Sequence, residues 1–286
     1  MKKIAINGCS GFIGSVLLDF LGKEGYEIIK IPRVTYFNPE YLFELIKDCD
    51  IVINLAGENI FGLWTSAKRK KILESRVNTT KCLVNTLDLI TDKEIHLISF
   101  SAIGIYDNRG VHDEFSVRFS DSYLAYVCRC WEFEANLNKS KNINVSIVRL
   151  GIVLDFKYGF FFNLLRYKIL NSIIVPDNRK GFLSFIYIGD LLKAIEFIIN
   201  KHLYGVVNIT SPKSVSYYSL YNNIKKFKLI RVITFVPLRI LKIFLRKTVT
   251  LFESNPNVLP SVLLGNGFQF SVNNVDDFLN LPKGHI

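Results

Sequence analysis

The chain has 286 residues, of which 49% are hydrophobic and 21% are charged, so it can bury a substantial core and is not expected to be disordered. Its formal net charge of +11 would suit a nucleic-acid partner, but acidic residues such as Glu40, Glu44 and Asp48 interrupt the basic ones. We therefore predict no nucleic-acid partner.

Cysteine usage and the first residues indicate a cytoplasmic protein. The cysteines number five, with no CxxC pair and no histidine cluster nearby, which favours reduced thiols and argues against a metal site. Residues 1–3 lead directly into the short apolar run 4–6, which is too short for the core of a signal peptide.

One apolar segment near the C-terminus, residues 229–245, needs a separate explanation. Three basic residues interrupt it and Pro237 breaks it, so we predict that it does not span a membrane. A helix packed on its own domain is the first interpretation, and a basic amphipathic helix on a membrane surface is the alternative.

Short apolar runs alternate with segments of helical period through the first half of the chain. Strands are predicted at residues 3–7, 27–31, 51–55, 95–99 and 145–150. Helices are predicted at residues 14–22, 39–47, 66–89 and 122–139. Asn38 and Pro39 have the pattern of an N-cap followed by proline in the first helical position. Such alternation is typical of βαβ units on a parallel sheet.

After Gly151 the pattern becomes less regular. An aromatic-rich segment, a strand, a helix and a further strand are predicted at residues 158–175, 182–188, 190–200 and 206–210. The remainder mixes helix and loop. Because there is no internal repeat or obvious linker, we expect any second domain to pack against the first.

Three glycines follow the first predicted strand with the spacing Gly8-x-x-Gly11-x-x-Gly14, directly before a predicted helix. Glycine at these points permits a tight turn and lets the backbone approach a pyrophosphate, which the free N–H groups of the helix N-terminus then bind. We therefore predict a dinucleotide site at Gly8, Cys9, Ser10, Gly11, Phe12, Ile13 and Gly14. A glycine turn without a ligand is the alternative, and a P-loop is disfavoured because no lysine follows Gly14.

The end of the second predicted strand bears on the choice of cofactor. An acidic residue there would hold a ribose 2′-hydroxyl, whereas an arginine would meet a 2′-phosphate. Here Glu27 begins the strand and Arg33 follows its far end. Arg33 therefore favours NADP(H) over NAD(H), although an arginine in this position can also be an ordinary solvated loop residue.

Together these patterns predict an α/β fold, a Rossmann-type doubly wound parallel sheet with a small C-terminal α/β substrate domain. Residues 1–155 would form the dinucleotide-binding domain, and residues 182–204 would return to it. Residues 156–181 and 205–286 would form the small substrate-binding region. The substrate would lie in the cleft between the two.

Further blocks follow the glycine loop in a characteristic order. They are residues 54–60, 64–65, 75–76, 79–80, 99–106, 128–132, 149–154, 186–190, 208–212, 259–260 and 267–270. With the glycine loop, they resemble the extended and atypical branches of the short-chain dehydrogenase/reductase superfamily. The resemblance is to its epimerase family proteins, which are related to nucleoside-diphosphate-sugar epimerases, and it runs nearly from end to end.

The resemblance implies a catalytic Ser or Thr, a Tyr-x-x-x-Lys pair and a nicotinamide cofactor. Counted back from Glu132, the tyrosine position is Leu124 and the lysine position is Cys128, and neither residue can perform those roles. A helix position that often carries asparagine falls on Arg76. Ser101 keeps its superfamily identity and is predicted to hydrogen-bond a substrate oxygen.

Other residues are assigned to the site by the same resemblance. It places Leu55, Ala56, Gly57, Glu58, Arg76 and Ser99 at the cofactor. Tyr106 is a second catalytic candidate, as a proton donor. Structural alternatives are a salt bridge between Glu58 and Arg76, and a Tyr106 hydroxyl that lies at the surface.

Two functional hypotheses follow. The first is an NADP-dependent oxidoreductase or epimerase acting on a small or nucleotide-linked substrate, and the second is a regulatory NADP(H)-binding protein without redox chemistry. The chain departs from its relatives in the substrate-facing half, at residues 158–176, 186–190 and 246–247, so their substrates do not transfer. Arg179 or Lys180 would meet an anionic group, unless they are solvated loop charges.

Overall fold

The computed structural model describes residues 1–166, 172–177, 181–226, 232–245 and 255–282. The elements of the first half are β1 (Lys3–Asn7), α1 (Phe12–Lys23), β2 (Glu27–Ile31), α2 (Pro39–Ile46), β3 (Ile51–Asn54), α3 (Ser66–Leu87), β4 (Ile95–Ala102), β5 (Val111–His112), α4 (Tyr123–Ala135) and β6 (Ile143–Leu150). Those of the second half are β7 (Ile152–Leu154), α5 (Gly159–Arg166), β8 (Ser172–Pro176), β9 (Phe182–Leu183), β10 (Phe185–Tyr187), α6 (Ile188–Lys201), β11 (Gly205–Ile209), β12 (Val215–Ser216), α7 (Tyr217–Lys226), β13 (Val232–Val236), α8 (Leu238–Leu245), β14 (Asn257–Val258), α9 (Ser261–Gly265) and α10 (Val275–Asn280).

A six-stranded sheet forms the centre of the molecule, in the order β11-β6-β4-β3-β1-β2, and all of its strand pairs are parallel. The chain runs from β1 to β2 on one side and then returns to the other side of β1 with β3. A crevice therefore opens at the carboxyl ends of β1 and β3, where the strand order reverses. The predicted Rossmann-type doubly wound parallel sheet is confirmed.

Helices cover both faces of this sheet. Successive side chains of a strand point to opposite faces, so Ile4 and Ile6 pack on one side and Ala5 packs on the other. Residues of α1 and α6 join the first cluster, and residues of α2 and α3 join the second. Strands covered on both faces carry mainly apolar residues, which is why they form nearly continuous apolar runs in the sequence.

The predicted helices of the first half are confirmed, with shifted ends. Helix α4 ends at Ala135 rather than at Lys139. It cannot continue because the Asp88 carboxylate accepts hydrogen bonds from the amides of Lys139 and Ser140, at 2.9 and 3.0 Å. Strand β4 extends past its predicted end to Ala102, because its pairing with β6 runs that far.

The Asn38 cap of α2 provides a first prediction. The Asn38 side chain accepts a hydrogen bond from the Tyr41 amide at 3.1 Å, as the sequence pattern predicts. We expect Asn38→Ala to lower the free energy of unfolding by about 1 kcal/mol, because this amide loses its partner. Urea denaturation measures the change, and Asn38→Ser, which can still cap the helix, serves as the control. Equal stabilities of the two variants would contradict the prediction.

The last strand of the central sheet comes from the region that the sequence assigns to the smaller domain, residues 205–286. Strand β11 pairs with β6 from Gly205, opposite Ser146, to Ile209, opposite Leu150. It therefore belongs to the central sheet, in contrast to the predicted boundary at residue 205. A short apolar run carries no signal of which sheet it will join, and sequence order alone misplaces it.

A third apolar cluster lies outside the sheet. It is formed by residues of α5, β10, α7 and α10, with Phe161 and Phe278 among its fully buried side chains. Phe156 stacks on Phe278 with ring centroids 4.6 Å apart. This cluster is distinct from the two on the sheet, and the division of the chain into a dinucleotide-binding domain and a substrate-binding region stays a prediction.

The apolar segment 229–245 does not form one helix. Its described part consists of β13, Pro237 and α8. Strand β13 pairs with β8, and proline separates it from the helix that follows. Among the residues that the structure describes, no helix is long and apolar enough to span a membrane.

A buried histidine makes stability depend on pH. His96 is 6% exposed, and its Nε2 lies 2.6 Å from the Ser146 hydroxyl oxygen, which itself donates to the Leu203 carbonyl. Burial lowers the pKa of His96 to about 4, with smaller contributions from His202 and Lys2. The ring is therefore neutral in the folded protein at pH 5, whereas a histidine in the unfolded chain is charged there.

Because the unfolded chain binds the extra proton, stability falls as the pH drops from the unfolded pKa of about 6.5 toward the folded value. Between pH 7 and pH 5 we expect His96 to account for a loss of about 2 kcal/mol. Denaturant unfolding at both pH values measures this loss in the wild type and in His96→Gln. Glutamine keeps a hydrogen-bond donor but does not titrate, so the difference between the two proteins is the contribution of His96. Parallel pH profiles of the two proteins would show that the prediction is wrong.

Candidate functional site

The three glycines form a tight turn between β1 and α1. Gly8 has a φ of 70°, and the Gly11 amide donates to the Gly8 carbonyl at 3.0 Å. A Cβ atom on Gly14 would collide with the Gly8 carbonyl oxygen and would lie 2.9 Å from the Gly8 carbonyl carbon. The close approach of these backbone segments explains why glycine is needed at both positions.

The N-terminus of α1 opens directly behind this turn. Helix α1 begins at Phe12, and its N-cap residue, Gly11, has no side chain to bond the first amides. Uncapped amides and the helix dipole favour a bound anion at this point. Ser10 is exposed at the turn, and Ile13 contributes to a cavity described below.

Neighbouring side chains close the turn from both sides. The Cys9 thiol donates to the Ile6 carbonyl at 3.1 Å, and burial raises its pKa, so that it stays protonated. The Phe12 ring packs on Tyr158 with centroids 5.4 Å apart. Phe12 therefore connects the glycine turn with the segment that leads into α5.

A buried asparagine, which sequence analysis missed, holds the next loop in place. Asn7 Oδ1 accepts hydrogen bonds from the amides of Leu55 and Ala56, at 2.5 and 2.8 Å. Its Nδ2 donates to Asn54 Oδ1 at 2.7 Å and to the Tyr36 hydroxyl at 2.6 Å. The one signal in the sequence is a polar residue inside an otherwise apolar strand, immediately before the first glycine.

Ser99 belongs to the same network rather than to an open surface. Asn54 Nδ2 donates to Thr80 Oγ1 at 2.8 Å and to Ser99 Oγ at 3.3 Å. Ser99 is 1% exposed. Through Asn54 and Asn7 it helps to hold the loop at Leu55 and Ala56. It is not among the residues that line the cavity described next.

A cavity of about 320 Å³ lies at the carboxyl ends of β3, β4 and β6. It is lined by Ile13, Leu55, Ile60, Ile72, Arg76, Phe100, Ser101, Ala102, Gly104, Leu124, Val127, Cys128, Trp131, Leu150 and Gly151. The cavity thus brings Ser101, at the end of β4, together with Leu124 and Cys128, which lie one turn apart on α4. Burial, followed by the charge of Glu132, raises the pKa of the Cys128 thiol to about 11, so it stays protonated at neutral pH.

Ser101 is oriented by a buried ion pair. Its hydroxyl donates to Glu132 Oε1 at 2.6 Å. Arg149 binds both oxygens of the same carboxylate, through Nε at 2.9 Å and Nη2 at 2.7 Å. Burial alone would lower the pKa of Arg149, but the hydrogen bonds and charge of Glu132 raise it. Arg149 therefore stays charged, and its two bonds to the Glu132 carboxylate fix the direction of the Ser101 hydroxyl.

Tyr106 does not lie at the surface, and that alternative is wrong. The side chain is fully buried, with its hydroxyl accepting from Arg149 Nη1 at 2.8 Å and donating to Asn208 Oδ1 at 3.0 Å. Burial raises its pKa, and Tyr106 is not among the residues that line the cavity. The structure thus places Tyr106 outside the lining of this cavity and links it to Ser101 only through Arg149 and Glu132, among the bonds of the described residues.

The expected salt bridge between Glu58 and Arg76 is also wrong. The Glu58 carboxylate pairs with Lys68 at 2.6 Å, and this hydrogen bond lowers its pKa, with further contributions from the charges of Lys71 and Arg33. Arg76 contacts Glu58 through the backbone carbonyl instead, at 3.0 Å. A Cβ atom on Gly57 would lie 2.8 Å from the Arg76 Cζ, so the guanidinium lies against the loop itself.

Arg33 begins a 3₁₀ turn directly after β2 and is exposed. Its charge is the smallest of the contributions that lower the pKa of Glu58, after those of Lys68 and Lys71. The other basic candidates, Arg179 and Lys180, lie outside the described residues.

A parallel doubly wound sheet with a glycine turn and an uncapped helix N-terminus at its switch point defines a Rossmann-type protein of the dinucleotide-binding class. The model of the NAD dependent epimerase/dehydratase family matches residues 4–210. The chain belongs to this family, and the resemblance to the epimerase family proteins is confirmed.

Relatives and solved structures match along the whole chain. Epimerase family protein YfhF of Bacillus subtilis is 27% identical over an alignment 292 residues long. The alignment covers 96% of this chain and 95% of the relative. The crystal structure of human epimerase family protein SDR39U1 (isoform 2) with NADPH has a TM-score of 0.84 at 22% identity and covers 97% of each chain. UDP-glucuronic acid 4-epimerase of Bacillus cereus, in complex with UDP-glucuronic acid and NAD, has a TM-score of 0.72 at 17% identity, covering 97% of this chain and 96% of that one.

Proposed function

We propose that the protein binds NADP(H) at the glycine turn and uses it as a redox cofactor. The observation that carries the proposal is the tight turn at Gly8 and Gly14, where a side chain on either residue would collide with backbone atoms. The turn lies next to the uncapped amides of α1, which favour a bound anion. The similar human protein was crystallised with NADPH, whereas the Bacillus cereus epimerase holds NAD. The preference for NADP(H) therefore rests on Arg33.

Each part of the site has a role toward this cofactor. The amides of the turn Gly8–Gly14 bind the pyrophosphate, and Arg33 binds the 2′-phosphate of the adenosine. Leu55, Ala56 and Gly57 form the loop that borders the cofactor, held in place by Asn7. Glu58 follows in the same loop, and Arg76, on α3, fixes it by donating to the Glu58 backbone carbonyl at 3.0 Å.

Two nucleotide titrations with one variant test the cofactor. Fluorescence titration measures the affinity for each nucleotide, and we expect the wild type to bind NADPH more tightly than NADH. Arg33→Ala should remove most of this difference by lowering the affinity for NADPH at least about tenfold. Arg109→Ala removes an exposed arginine from a loop elsewhere and is the matched control. Equal affinity of the wild type for NADPH and NADH, unchanged in Arg33→Ala, would contradict the assignment.

For the reaction, we propose a reversible reduction of a carbonyl to a hydroxyl group. NADPH held at the glycine turn would provide the hydride for the carbonyl carbon, and the carbonyl oxygen would take up one proton from solvent water at the cavity. Because the Ser101 hydrogen is donated to Glu132, the Ser101 oxygen can accept a hydrogen bond from the substrate hydroxyl, beside the Cys128 thiol. Ser101 thereby orients the reacting carbon among the mainly apolar side chains that line the cavity.

A second candidate function is an NADP(H)-binding regulatory protein without turnover. It is favoured by Leu124 and Cys128, which occupy the cavity where the family pattern has tyrosine and lysine. Transfer of deuterium from labelled NADPH to a carbonyl substrate, reduced in Ser101→Ala without a change in NADPH affinity, would support the enzyme. Tight NADPH binding with no transfer across a panel of carbonyl and sugar-nucleotide substrates would support the regulatory protein.

We also propose a reducing compartment such as the cytoplasm. All five cysteines are free thiols, and burial raises the pKa of several of them. Such thiols persist in a reducing environment.

A further inference from the structure

The cavity beside Ser101 contains one charged side chain among its described lining residues, Arg76. The polar side chains besides it are Ser101 and Cys128, while Leu124, Trp131 and the remaining lining residues are mainly apolar. A cation placed in such surroundings loses hydration and needs a compensating partner.

The Arg76 guanidinium is held in a fixed orientation. Its Nη1 donates to the Glu58 carbonyl at 3.0 Å and to the Ile72 carbonyl at 3.1 Å. The Cζ lies 5.1 Å from the centre of the Trp131 ring. On another side the guanidinium packs against Gly57, where a Cβ atom would lie 2.8 Å from Cζ, 2.9 Å from Nη2 and 3.2 Å from Nε. The side chain is therefore preorganised, and little further entropy is lost when a ligand binds it.

The same guanidinium has no counter-ion within the described chain. No carboxylate oxygen there lies within 4.0 Å of it, because the Glu58 carboxylate is bound to Lys68 at 2.6 Å. The Nε and Nη2 groups of Arg76 donate to no acceptor in the described residues, and the same holds for the indole Nε1 of Trp131. Burial lowers the pKa of Arg76, but an arginine keeps its charge at neutral pH.

We propose that Arg76 is the anion-binding residue of the substrate site, and that the substrate is a small carboxylate with an apolar body and a hydroxyl or carbonyl group. Nε and Nη2 present two parallel donors that match the two oxygens of a carboxylate. The apolar body lies against Leu124 and Trp131, and the reacting oxygen reaches Ser101. The inference rests on the proposed function in taking this cavity as the substrate site.

The lining residues also argue against a sugar ring in this cavity. A sugar presents several hydroxyl groups, each of which needs a partner when it is buried. The described lining offers only Ser101, Cys128 and Arg76 as polar side chains. With a volume of about 320 Å³, the cavity is also at the small end of ligand sites, which range over roughly 300–1,000 Å³.

Calorimetric titration with an acid and its neutral isostere tests the proposal. The probes are 2-hydroxyisovalerate, its amide and UDP-glucose, each added to the cofactor-free and to the NADP⁺-loaded protein. We expect the wild type to bind the acid at least about tenfold more tightly than the amide. In Arg76→Met the ratio of the two affinities should fall to about one. The preference should be constant between pH 6 and pH 9, since Arg76 does not titrate there and the pKa of Cys128 is about 11.

Two further variants separate a local effect from a loss of structure. Lys70→Met removes an exposed charge from the same helix and should leave the preference for the acid unchanged. Arg76→Lys keeps the charge but not the paired donors, so a partial preference is expected. The thermal midpoint of each variant shows whether it is folded.

The outcomes distinguish this proposal from the proposed function. Equal binding of acid and amide by the wild type, or an undiminished preference in Arg76→Met, would overturn the carboxylate site even if NADPH binds. Binding of UDP-glucose without binding of the acid would identify a nucleotide-sugar site instead. Preference for the acid in a protein that does not bind NADPH would overturn the cofactor assignment alone.

Discussion

Gly14→Ala is expected to weaken NADPH binding at least about tenfold, which corresponds to about 1.4 kcal/mol or more. The new Cβ atom would collide with the Gly8 carbonyl oxygen and would lie 3.0 Å from the Cys9 Cα. Both neighbours are backbone atoms, so the clash is relieved only if the turn opens. An opened turn moves the first amides of α1 away from the pyrophosphate, and overpacking of this kind costs roughly 1–3 kcal/mol in stability as well.

Gly22→Ala is the matched control for this experiment. Gly22 lies in the same helix, and no atom is found within 4 Å of its ideal Cβ position. Alanine is the better helix former by roughly 0.5–1 kcal/mol, so this variant should be as stable as the wild type or more stable, with unchanged affinity for NADPH. Fluorescence titration and thermal unfolding measure both quantities. If Gly14→Ala binds NADPH as tightly as Gly22→Ala does, the turn is not the cofactor site.

Local features of the site were accessible to sequence analysis. The glycine turn, the helix behind it and the cap at Asn38 each depend on residues close together in the chain, where spacing has a direct structural meaning. The positions of Leu124 and Cys128 follow from Glu132 by counting along one helix, and both residues do line the cavity with Ser101.

Pairings between distant segments were not accessible in the same way. Glu58 has two basic candidates within one helical region, Lys68 and Arg76, and only the path of the loop decides that its carboxylate meets Lys68. Tyr106 looks like a candidate proton donor because it follows Ser101 closely, yet a bond to Asn208, 102 positions further along the chain, fixes it in the interior. Such choices depend on packing that periodicity does not encode.

The buried pair of Glu132 and Arg149 joins the site to the core. Loss of this pair should lower stability more than Gly14→Ala does. The side chains are 12% and 6% exposed, and Arg149 uses three nitrogens on Glu132 and on Tyr106. Glu132→Gln leaves a buried guanidinium without its counter-charge. We expect the free energy of unfolding to fall by about 3–5 kcal/mol, as is typical when one partner of a buried ion pair is removed.

An exposed ion pair provides the comparison. Asp19 and Lys23 lie 2.8 Å apart on the surface of α1, with side chains 67% and 74% exposed, so Asp19→Asn should change stability by less than about 1 kcal/mol. Urea denaturation of both variants gives the difference, and a similar small loss in Glu132→Gln would contradict the prediction.

Replacing both buried partners separates the cost of an orphaned charge from the value of the pair itself. If the loss in Glu132→Gln comes from the uncompensated Arg149, then Glu132→Leu combined with Arg149→Met should be more stable than Glu132→Leu alone, because no charge remains buried. Ser101 loses its hydrogen-bond acceptor in both of these proteins. Any turnover that depends on the orientation of Ser101 should therefore stay low in the double variant even where its stability recovers, which distinguishes the role of Glu132 in the fold from its role in positioning Ser101.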